Sequence, residues 1–166
     1  MAVGKRIASL KYKELAVLSG IFLKHPLYLF PTYKATNRTV KICNQLYGTL
    51  HHEDNRTNAF RHALWNYLIC NFCLPVAGSV EKALIWSKKI TDLHERLSPN
   101  SALAKAMDLH NNRIGRELFS SSFDKEIDIV PLLQLRTKEA VKITSLKETE
   151  EVMTNLVFID EVRRNQ

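Results

Sequence analysis

The stretch Asn58-Ala-Phe-Arg61-His62-Ala-Leu-Trp65-Asn66 constrains the fold of this chain more than any other. It reads as a helix, and at about 100° per residue its apolar side chains surround most of the axis. Phe60, Leu64, Tyr67 and Leu68 share one face, with Trp65 and Ile69 beside it. Asn58, Arg61 and His62 are interleaved among them. Only the arc of Ala63, Asn66 and Cys70 is left to look outward. A helix apolar around that much of its girth belongs at the centre of a bundle. The polar groups caught in it need partners, because an unpaired buried polar group costs roughly 1–3 kcal/mol.

A second polar set lies about fifty positions on, in Met107-Asp108-Leu-His110-Asn111-Asn112. Asn111 falls inside the apolar stripe of Leu103, Met107, Ile114 and Leu118, and Asp108 sits on its shoulder. Gly115, a poor helix former, admits a close neighbour there. Between the two sets, His94 borders the stripe of Ala83, Trp86, Ile90, Leu93 and Leu97, whereas Glu95 points away from it. A carboxylate and two amides complement a guanidinium and an imidazole. The members of one set are therefore the natural partners of the other.

The periodicity predicts a mainly α protein: a compact bundle of about five helices around a central one, in a single domain spanning 1–166. Residues 1–50 form basic N-terminal helices, 54–118 the core that bears the polar sets, and 123–166 a C-terminal addition. The first helix covers 5–23 and ends at His25-Pro26, since the residue before Pro disfavours the helical region. The second opens at Pro31-Thr32 and stops at Gly48. The third, capped by Asp54, Asn55 or Thr57, runs to about Phe72, and Leu74–Gly78 is a connector. Ser79 caps the fourth, which runs to Leu97. Ser98-Pro99 opens the fifth, which frays at Ser120–Ser122. Ala140-Val-Lys-Ile-Thr144 and Leu156-Val-Phe-Ile-Asp160 are short and β-branched, with a Glu-rich helical stretch between them. They suggest a small two-stranded element.

The net charge of +7 is concentrated at the start, where residues 1–50 carry eight Lys or Arg against Glu14 alone. A basic first helix with Lys5, Arg6, Lys11 and Lys13 suits an anionic partner: a membrane surface, nucleic acid or an acidic protein. No motif for reading bases accompanies it. The apolar run Leu15–Leu23 is far shorter than the roughly twenty residues needed to span a bilayer. No small-x-small cleavage site follows it. The reading is a cytoplasmic protein, or one secreted without a cleaved signal. Cys43, Cys70 and Cys73 include one C-x-x-C pair, but no second pair or H-x-x-x-H completes a zinc site, so they read as buried thiols.

The chain is similar to an uncharacterised bacterial domain family marked by an N-A-x-R-H-A-x-W helix, an H-E pair and M-D-x-x-N-N-x-x-G-R. All three are present: Asn58–Trp65, His94-Glu95, and Met107-Asp108 through Asn111-Asn112 to Gly115-Arg116. The resemblance covers about residues 54–118. Its relatives are small free-standing proteins and toxin-like C-terminal domains. It marks a site without attaching a chemistry to it.

The residues themselves suggest a hydrolase acting on a phosphodiester or phospholipid. His62 would be general base or nucleophile, Asp108 would orient or charge the imidazole, and Arg61 would hold an oxyanion. Asn58, Asn111, Asn112 and Arg116 would bind substrate. Asp108 and His94, with an Asn carbonyl, would suit a hard divalent ion, Mg, Ca or Mn. The alternative is a non-enzymatic binding, immunity or adaptor module in which the cluster is a buried structural network. Solvent access to His62 separates the two, since an enzyme needs it and a scaffold does not.

Overall fold

The computed structural model describes residues 19–160. The basic positions Lys5, Arg6, Lys11 and Lys13 lie outside the described residues, as does most of the expected first helix. Residues 19–24 are helical and pass into a 3-10 turn at Pro26–Tyr28. That turn leads directly into α1, Leu29–Tyr47. The helix thus starts two residues before Pro31. Pro is tolerated in the first turn because the N–H groups there have no partner within the helix. Gly48 ends it with φ +58°, its N–H on the Asn44 carbonyl.

A 3-10 turn at Leu50–His52 precedes α2, Arg56–Ala77. Asn55 is the cap, its fully buried side chain accepting from the N–H groups of Thr57 and Asn58. The helix runs on through Pro75 to Gly78, beyond the Phe72 end expected from the sequence. Asn71 and Pro75 are both exposed, so the carbonyl that loses its donor faces water. Gly78 closes the helix in the left-handed region at φ +73°, as only Gly does without strain.

Ser79 caps α3, Val80–Leu97, through the Lys82 N–H. Ser101, and not Ser98-Pro99, caps α4, Ala102–Ser122. The Ser98 hydroxyl instead donates to the His94 carbonyl and finishes α3. Next come α5, Ile129–Lys138, which sequence periodicity did not single out, then β1, Val141–Lys142, α6, Leu146–Glu151, and β2, Val157–Phe158. The strands pair in parallel, Val141 beside Val157 and Lys142 beside Phe158, with α6 as the crossover. Among the described residues no helix is long and apolar enough to cross a membrane.

The expectation of a mainly helical bundle with a small two-stranded addition holds. The central helix is α2, which packs against α1, α3, α4 and α5 and against β2. The arc expected to look outward does not: Ala63, Asn66 and Cys70 are all fully buried. The reason is the crossing of α2 and α4. A Cβ at Gly115 would stand 2.2 Å from the Ala63 carbonyl oxygen, so the backbones meet where both side chains are minimal.

The three thiols are buried in this core without a disulfide. Cys73 lies 3.7 Å from the Thr32 hydroxyl, and Cys70 donates to the Ala83 carbonyl. Burial pushes Cys43 and Cys70 up to about 12 and Cys73 to about 11. The native chain is therefore expected to resist a thiol-specific chromogenic reagent at mildly alkaline pH, and to react at all three positions once denatured. Fast native labelling would place a thiolate where none is expected.

His51 is fully buried, with Nε2 2.8 Å from the Asn44 amide oxygen. Burial, helped by neighbouring His52, lowers it from 6.5 to about 4. His110, bonded to the Asn155 carbonyl, is lowered in the same direction by burial. Between the unfolded and folded values the unfolded chain binds the extra proton, so stability falls as pH falls. Relative to a His51→Asn variant, the wild-type urea midpoint is expected to drop from pH 6.5 to about 4; the raised Asp108 carboxyl acts in the opposite direction over that interval but is common to both chains. A flat difference between the two would contradict the neutral, buried state of the His51 ring.

Candidate functional site

Three helices each present polar residues at a spacing of four, which places them on one side of a helix. They are Asn58, His62 and Asn66 on α2, Ser87, Thr91 and Glu95 on α3, and Asp108, Asn112 and Arg116 on α4. The three stripes face one another along a single polar seam inside the apolar bundle. Because α3 runs against α2 and α4 runs with it, the seam has two ends.

One end is a hub on Asn66. Its amide nitrogen donates to the His62 carbonyl at 3.0 Å and to Asn112 Oδ1 at 2.6 Å. Its Oδ1 accepts from Arg116 at 2.8 Å, from Ser87 at 3.0 Å and from Thr91 at 3.1 Å. Arg116 also lines a surface groove of about 320 Å³ with Lys88, Arg113 and Glu117. The network therefore reaches the protein surface at that end.

The other end holds the ionisable groups. His62 Nε2 lies 2.8 Å from Arg61 Nη2 and 3.2 Å from Asp108 Oδ1. His62 Nδ1 lies 3.1 Å from Asn112 Oδ1 and 3.6 Å from Glu95 Oε1. A guanidinium can only donate, which assigns Nε2 as the acceptor and the ring proton to Nδ1, donating to Asn112. Asn112 in turn donates to Glu95 at 3.4 Å, and Asn100 donates to Asp108 Oδ2 at 3.2 Å. Burial pushes the Asp108 carboxyl up to about 8; the nearby Glu95 carboxylate adds to this and the Arg61 guanidinium opposes it. His62, Glu95 and Asp108 are all essentially inaccessible, and Arg61 is half-buried.

The residues expected from the sequence separate here. His62, Arg61, Asp108 and Asn112 meet directly. Arg116 joins them only through Asn66. Asn111 is engaged elsewhere, donating to the Val157 carbonyl and accepting from the Val157 N–H, both at 2.9 Å, so it clamps β2 onto α4. Asn58 is buried with no hydrogen bond to Oδ1. The His94 ring stands edge-on to Trp65, 5.1 Å between centroids. The group on α3 that joins the cluster is the next residue, Glu95, fully buried and not turned away as expected. Sequence reasoning also missed Asn66, Ser87, Thr91 and Asn100. The spacing of four shared by Ser87, Thr91 and Glu95 was the signal that could have found three of them.

Chemically, the cluster combines a neutral imidazole with a basic nitrogen, two carboxyls and one guanidinium, shielded from water. Such a set can move a proton, stabilise an anion or hold a cation. No curated protein and no solved structure matches the chain. Its sequence does match, over residues 19–151, the family described as a domain of unknown function (DUF6973), and the chain belongs to that family.

Proposed function

We propose that this protein is a hydrolase of a phosphodiester or phospholipid, of a toxin- or effector-like kind, with its chemistry centred on His62. The observation that supports this reading is the meeting of three different groups at one atom. An imidazole lone pair, a guanidinium and a carboxyl converge on His62 Nε2 within 3.2 Å. A phosphoryl group offers a guanidinium two oxygens for bidentate hydrogen bonding. Arg61 is the most exposed member of the four, so an incoming anion engages it first. Drawing Arg61 onto substrate bares Nε2, which then takes the proton of an attacking water as its oxygen bonds to phosphorus. The ester P–O bond breaks and the departing oxygen leaves as the alcohol after taking a proton from water, while Asn112 holds the imidazole from the Nδ1 side.

The test is hydrolysis of an aryl phosphodiester and of phospholipid vesicles by wild type and His62→Gln. The variant is expected to lose at least about a hundredfold in rate while melting within a few degrees of wild type. Absence of turnover in both substrate classes would overturn the reading.

A non-enzymatic binding, immunity or adaptor role is favoured by a different observation, the 1% exposure of His62. If the cluster is only scaffold, His62→Gln loses several kcal/mol of stability and any function falls only in proportion.

A further inference from the structure

His62, Glu95 and Asp108 come from three helices, yet each offers a ligand-capable atom within 4.8 Å of the others. None of the three residues is more than 2% exposed. Three independent observations bear on what such a group holds. Charge is the first: two carboxyls, Glu95 and Asp108, meet one imidazole out of water, so with the ring neutral and both carboxyls ionised the carboxylates outnumber the Arg61 guanidinium. An uncompensated buried charge is strongly destabilising, and the cluster must take up a proton or a cation.

Donor chemistry is the second. With Nε2 accepting from Arg61, Asp108 Oδ1 meets a lone pair at 3.2 Å, and this oxygen has no hydrogen bond of its own. Two acceptors facing at that distance need a proton or a shared cation between them. Two donors on one ion at about 2.1 Å stand about 3.0–3.4 Å apart, depending on geometry. The third observation is the support around the ligands. Asn112 holds the Nδ1 side of His62, and Asn100 holds Asp108 Oδ2. Outer partners of this kind orient metal-binding imidazoles and carboxylates.

We propose that His62 Nε2, Asp108 and Glu95 hold one first-row divalent transition-metal ion, and that Arg61 is the cation that takes its place on the imidazole. The proposal rests on reading this cluster as the functional site. It replaces the ligand pair Asp108 and His94 with a triad containing Glu95. One nitrogen and two carboxylates suit Mn²⁺, Fe²⁺ or Zn²⁺, whereas Mg²⁺ and Ca²⁺ prefer oxygen alone. Three protein ligands leave positions open for water or a phosphoryl oxygen, and Arg61, once displaced, is free to engage the same anion.

The experiment is titration of Mn²⁺ into the chelator-stripped chain at neutral pH, following free Mn²⁺ by electron paramagnetic resonance. Wild type is expected to take up one ion per chain. Zn²⁺ should displace it, while Mg²⁺ at about a hundredfold excess should not. Asp108→Asn and Glu95→Gln should each weaken uptake about tenfold or more, and Arg61→Gln should strengthen it by a similar factor. If wild type leaves Mn²⁺ free, or if the carboxylate variants bind as wild type does, the proposal is overturned. Uptake without hydrolysis keeps the metal site and removes the hydrolase reading. Hydrolysis that survives chelation keeps the hydrolase reading and takes the metal out of its chemistry, and the titration alone then decides the site.

Discussion

Gly115→Ala is expected to destabilise the protein by about 3 kcal/mol or more. The added Cβ would stand 2.2 Å from the Ala63 carbonyl oxygen and 2.8 Å from its carbonyl carbon and Cα. These are backbone atoms of the central helix and no rotamer change relieves them, so α4 must move away from α2. That movement opens the seam in which Asp108 and Asn112 meet His62, one to two turns along the same helices. For a chain of this size the melting temperature should fall by roughly 10 °C, and the functional readout should fall with it. Gly20→Ala is the control. Gly20 is helical with open space around it, so Ala there should change stability by less than about 1 kcal/mol, toward greater stability. Equal behaviour of the two variants would mean that the α2–α4 contact is not the close backbone crossing described above.

Arg61→Gln is expected to cost about 3–5 kcal/mol in the presence of chelator, measured by urea denaturation. It removes the guanidinium that bonds His62 Nε2 and holds the Asp108 carboxyl down, so the two buried carboxyls are left to His62, which must then take up a proton. Asp108→Asn should cost no more than about 1 kcal/mol, because the raised Asp108 carboxyl holds a proton at neutral pH and Asn keeps its uncharged shape. Both substitutions should abolish hydrolysis, since one removes the anion-binding group and the other the carboxyl at Nε2. Stability and activity are thus expected to part company at Asp108 and to fall together at Arg61. The reverse stability order would mean that the two carboxyls do not rely on the Arg61 guanidinium.

Much of this architecture is legible along the chain. Gly48, Asn55 and Ser79 end or begin helices through their own side-chain or backbone chemistry, which needs no distant partner. The wide apolar girth of the Asn58–Asn66 stretch requires a central position, because every face needs cover. Polar residues spaced by four on α2, α3 and α4 likewise commit each helix to carrying a polar line on one side, whatever packs against it.

What the tertiary structure alone decided is which lines face one another, and the reason lies in the small residues. Ala63 carries almost no hydropathy signal, so periodicity left it outward, and Gly115 was legible only as a place where some neighbour could come close, not as the partner of Ala63. Their lack of bulk is what lets two backbones touch and turns Asn66 and Cys70 inward with them. Glu95 read as solvent-facing by its distance from the α3 apolar stripe. Its burial depends on α2 and α4 covering that second side of α3 with His62 and Asn112. Asn111 and Asn112 are adjacent amides of one type, yet one is committed to the β2 backbone and the other to the imidazole. Local sequence specifies the direction each helix must bury; only the approach of a neighbouring backbone specifies which polar group meets which.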